Sequence, residues 1–80
     1  MKTIFIERCD LSQYFRCATV EAESKRALSK FQYKIIKEHT CGAMLFEAAA
    51  NQARLAAAKT GLKIMYPDAF GNIHELEKIK

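Results

Sequence analysis

Four cations at helical spacing, Arg26, Lys30, Lys34 and Lys37, are the most chemically suggestive group in this chain. On one helix they share a side, with Tyr33 at their edge and Gln32 near. Such a row can lie along a phosphate backbone, and the contact would weaken steeply with salt. A solvated helix face kept soluble by lysine is the commoner origin of the pattern. The row is short of arginine, and no base-reading motif accompanies it. It therefore serves two readings: a surface that meets a protein, and, as the alternative, one that meets nucleic acid.

The soft and imidazole side chains are Cys9, Cys17, His39, Cys41 and His74. No C-x2-C or H-x3-H pair is present, so the spacing resembles no structural zinc site. Cys41 falls near a helix start, where a thiol can be activated, and His39 is close in sequence. Residues two apart point away from each other on most local backbones, and no third group orients them. There is no phosphate loop, dinucleotide fingerprint or paired-acid constellation. The expectation is a chain without metal, cofactor or catalytic residues, its thiols acting as small apolar side chains. Glu75 and Glu77 read as charges that guard an exposed strand edge.

The segment from Tyr66 to Asn72 carries Pro67, Asp68, Gly71 and Asn72 and reads as a turn or short loop. Phe70 at its tip, with Tyr66, is a candidate anchor for a protein partner. The commoner fate of one Phe in so small a domain is to fold back as a plug for the core.

These groups need a frame, and residues 41–60, CGAMLFEAAANQARLAAAKT, are its centre. Alanine is the best helix former because it loses no side-chain entropy. Lys59 and Gly61 form a stop, a cation in the last turn followed by a residue free to turn left-handed. At about 100° per residue, Glu47, Asn51, Arg54 and Ala58 make one narrow polar stripe. A broad arc with Phe46, Ala49, Ala50, Ala53 and Ala57 lies opposite. A rod apolar on most sides must be covered on most sides. Its small residues admit a close neighbour, either another part of the chain or a second copy in a homodimer.

Before this centre, Thr3 to Ile6 are β-branched and aromatic, so residues 2–8 read as a strand. A turn follows at Asp10, Leu11, Ser12 and Gln13. Residues 14–22 read as a strand, since Ala18, Val20 and Ala22 share a face; a helix with Leu11, Tyr14, Phe15 and Ala18 as its stripe is the competing reading. Ser24 is an N-cap for a helix from Lys25 to about Glu38, with Ala27, Leu28, Phe31 and Ile35 facing the core. His39 to Gly42 break the pattern, and two helices folded back on each other are preferred to a single helix running through this point. Past Gly61, residues 62–66 alternate as a strand, and Ile73 onward returns as a hairpin partner, with a short terminal helix carrying Ile73, Leu76 and Ile79 on one side as the competing reading.

The resulting class is α+β in the order β-β-α-α-β-β, an antiparallel sheet packed on two helices. The alternative is a mostly α chain with an N-terminal strand and a C-terminal hairpin. Eighty residues make one domain, spanning 1–80, that buries only about 60% of its unfolded surface. Half the residues are apolar and the formal charge is +4, which permits nucleic-acid binding without demanding it. No apolar run approaches the roughly 20 residues of a membrane span. Three cysteines and no export signal point to reduced thiols in a cytoplasm. The expected function is a small, non-enzymatic binding protein working through protein contacts. Small free-standing chains of this kind are often regulators, inhibitors or adaptors, including ones carried by phage and mobile elements.

Overall fold

A computed structural model of the chain describes residues 1–9 and 13–78. Its elements are β1 (Lys2–Arg8), β2 (Tyr14–Ala22), α1 (Lys25–Ser29), β3 (Tyr33–Glu38), β4 (Met44–Leu45), α2 (Phe46–Thr60), β5 (Ile64–Pro67) and β6 (Ile73–Leu76). The strands make one sheet in the order β3-β2-β1-β5-β6, with β4 paired to the start of β2. The class is α+β. The turn read at Asp10, Leu11 and Ser12 lies outside the described residues, as do Ile79 and Lys80.

β1 sits at the centre and is covered on both faces, which is why Thr3, Ile4, Phe5 and Ile6 form an unbroken run. It pairs antiparallel with β2, from Lys2 opposite Glu21 to Arg8 opposite Phe15. Its other neighbour, β5, runs parallel to it, with Ile4 opposite Ile64 and Phe5 opposite Met65. The sheet is therefore mixed. β5 and β6 form the expected antiparallel hairpin, and residues 14–22 are the expected strand.

Alternate strand residues divide the core into two layers. Ile4, Ile6, Phe15, Cys17 and Ile64 face α2 and meet Ala49, Ala50, Ala53, Ala56 and Ala57. Phe5, Ala18, Val20, Ala22 and Met65 face the other way and meet Ala27 and Leu28 of α1. The helices thus cover opposite faces of the sheet and do not pack as a hairpin. A sheet face can shield an alanine-paved helix as well as another helix can, and it brings the larger side chains to the contact.

The first helix is much shorter than its pattern implies. Ser24 caps it as expected, its hydroxyl accepting from the Ala27 amide at 3.3 Å. It ends at Ser29, and residues 33–38 are strand. The Phe31 amide donates to the Leu28 carbonyl and the Gln32 amide to the Ala27 carbonyl, a pair of bonds that closes a helix C-terminus. Beyond it, Tyr33 and Ile35 are bulky or β-branched and gain more by pairing with Ala22 and Val20 of β2 than by continuing the helix, while Ile36 falls at the register shift. The second helix starts at Phe46, five residues after Cys41. Residue Gly61 ends it with φ +74°, as the stop signal implies.

Candidate functional site

Among the described residues, β3 is an edge strand, paired on one side only. The side of it that faces outward follows from β2. The Cys17 carbonyl accepts from the His39 amide, whereas the Ala22 amide donates to the Met1 carbonyl beside β1. Odd-numbered residues of β2 therefore address β3, and even-numbered ones address β1. Thr19 and Glu21 face Lys37 and Lys34, so those two lysines turn their backbone groups inward. Tyr33 and Ile35, facing even-numbered partners, turn theirs outward. An unpaired row of this kind is a template for another strand. Lys34 and Lys37, together with a register shift opposite Thr19 and Val20, limit which strands can add to it.

The α1 side of this edge carries an exposed apolar surface. Phe31 is 69% exposed and Ile35 is 44% exposed. Both border the Glu7–Arg16 ion pair, whose atoms are 3.2 Å apart. Phe31 has φ +59°, the left-handed region that suits glycine and strains a bulky residue. Between them Tyr33 is half-buried. Its ring meets Phe5 edge-on at 5.2 Å, and its hydroxyl donates to Glu7. Burial and the Glu7 carboxylate together push the phenol well above its ordinary range.

The α2 side holds a groove of about 470 Å³ between α2 and β3, with Ile36 and Leu55 on its walls. His39 and Thr19 share a 2.6 Å hydrogen bond there. Burial and the nearby Lys37 and Lys59 push the His39 pKa down, which keeps the imidazole neutral near pH 7.

The hairpin loop between β5 and β6 is the third surface. The Asp68 carboxylate accepts from the amides of Phe70 and Asn72 at 2.8 and 2.9 Å, and lies 2.8 Å from the His74 ring. The His74 bond leads the causes that hold Asp68 down near pKa 2. Phe70 is 90% exposed, so it is no plug for the core. Tyr66 packs inward instead, with ring centroids 5.4 Å from Phe46 and 5.5 Å from His74.

The expected cationic row does not form, because its helix stops before Lys34. Arg26 lies on α1 beside Gly71 and Asn72 of the loop. Lys30 ends α1, and Lys34 and Lys37 stand on β3 opposite Glu21 and Thr19. Tyr33 faces the other side of the sheet from those two lysines. Arg26 and the Phe70 loop are thus brought together, while the three lysines are not part of that surface.

The alanines named for a dimer interface, Ala49, Ala50, Ala53 and Ala57, are buried under the chain's own sheet. Phe46 is half-buried and meets Phe15 edge-on at 5.1 Å. None of the four alanines offers surface to a second copy. Reading residues 25–38 as one helix hid the two exposed residues of the edge, since it turned Phe31 and Ile35 to the core. A β-branched pair at Ile35 and Ile36 after a glutamine was the available signal.

Among the described residues, no group of His, Cys, Asp and Glu side chains is arranged to hold a metal. Cys9 is half-buried, Cys17 buried and Cys41 exposed. Among the described residues, no helix is long and apolar enough to cross a membrane. Compared with known proteins, the chain matches no family model, no curated protein and no solved structure.

Proposed function

We propose that this protein is a non-catalytic binding module that takes an extended segment of a protein partner as an added strand along β3. The observation that carries the reading is Phe31. A bulky residue in the left-handed region costs about 1 kcal/mol or more, and glycine would avoid it. The side chain gives little back in burial, since most of it is in water. Strain held at an exposed aromatic, beside an open strand edge, supports a contact role. Ile35 extends the same surface, and the outward amides of Tyr33 and Ile35 supply backbone bonds of the kind used in strand addition. A regulator, inhibitor or adaptor would work in this way, by occupying a segment of its target.

The nucleic-acid alternative depended on a helical row of cations that this chain does not build. The experiment is capture from native cell extract by the immobilised protein, followed by mass spectrometry, with Phe31→Gly and Ile35→Lys beside the wild type. The reading expects a defined protein that wild type retains and both variants lose. Equal retention by all three would overturn it.

A further inference from the structure

We propose that the groove between α2 and β3 binds a small organic anion with an apolar body. The site lies on the opposite face of the sheet from Phe31, and it stands on different observations. Three cations from three elements converge on it: Lys2 of β1, Lys37 of β3 and Lys59 of α2. Among the described residues, none of the three forms an ion pair and no carboxylate lines the groove.

Between the cations the walls are apolar and open to water. Ile36 is 49% exposed on β3 and Leu55 is 59% exposed on α2. Two large apolar side chains set apart across a trough gain by covering each other's water-facing surface through a third body. The bonded pair His39 and Thr19 gives that body a polar contact. A volume of about 470 Å³ is in the range of small-molecule sites, typically about 300–1,000 Å³. Unpaired positive charge around an apolar trough selects an anion over a neutral or cationic amphiphile. It also disfavours a bare phosphate, which would leave Ile36 and Leu55 wet.

The test uses the full chain, labelled with nitrogen-15, and octanoate as the probe at low salt. Octyl glucoside and octylammonium are the charge controls, and inorganic phosphate is the control without a tail. The proposal expects saturable amide shifts at Ile36, His39, Leu55 and Leu62 with octanoate, and weaker binding of all three controls. Replacing both Lys37→Gln and Lys59→Gln should weaken octanoate roughly tenfold, as two partly exposed ion pairs would. The exposed Leu55→Asn should weaken it also, and the spectrum of each variant reports that it is folded. Absence of saturable shifts, equal binding of octyl glucoside, or indifference to the lysine substitutions would each overturn the proposal. So would binding only to vesicles of anionic phospholipid, which would mark a membrane contact instead.

Discussion

Tyr33 on β3 and Glu7 on β1 meet across the intervening strand β2, the phenol hydroxyl donating to the carboxylate. Arg16 of β2 holds the other oxygen of Glu7 at 3.2 Å. The network ties the open edge strand to the centre of the sheet. Tyr33→Phe keeps the ring contact with Phe5 and removes only the hydroxyl. It should cost about 1 kcal/mol in thermal or urea unfolding. An unchanged midpoint would show that the network adds nothing to the edge.

Phe31→Gly should move stability the other way. Relief of the left-handed strain is worth about 1 kcal/mol, or roughly 4–8 °C in a domain of this size. A calorimetric scan reads it directly. A variant that is more stable yet retains less partner would separate the role of Phe31 from folding.

Ala53 is fully buried between α2 and the sheet. Ala53→Leu forces the helix off the strands and should cost about 1–3 kcal/mol. The loss should be the same at low and high protein concentration, because the contact is within one chain. A concentration-dependent midpoint would show that a second copy takes part.

Alkaline pH should destabilise the fold. Burial pushes the Cys17 thiol up from 9.0 to about 11. The folded state holds the proton more tightly, so this contribution is complete below pH 9.0 and is lost as pH rises through about 11. The Tyr33 phenol, also raised, acts with the same sign at higher pH. The unfolding free energy read from urea titrations between those limits should fall by about 2 kcal/mol for the wild type and by clearly less for Cys17→Ala.

Asp68 should govern the loop that presents Phe70. Its carboxyl is held down near 2 by His74 and two loop amides, so its contribution is present above the ordinary value of 3.8 and is lost as pH falls through about 2. Asp68→Ala should speed hydrogen exchange at the Phe70 and Asn72 amides while leaving β1 amides protected. Exchange unchanged at those two amides would show that the turn holds without the carboxylate.

Several elements follow from local chemistry and were legible in the residues alone. The run at Thr3 to Ile6 is strand because bulky β-branched and aromatic side chains fit a pleated surface. Ser24 caps a helix and Gly61 ends one because each supplies a bond or a backbone angle within a few residues of itself. The alanine rod, the Asp68 turn and the α+β class belong to the same group, since short-range rules govern them. Residues 25–38 were not legible in this way. Their apolar spacing satisfies a helix, and only the hydrogen bonds offered by β2 make strand the better state for Tyr33 to Glu38. Which cover the alanines receive was also undecided, because a face buried by a sheet and one buried by a second copy have the same pattern. The candidate surfaces depend on that tertiary choice: once β3 takes the edge, Phe31 and Ile35 emerge on one face, and Lys37 meets Lys59 across a groove on the other.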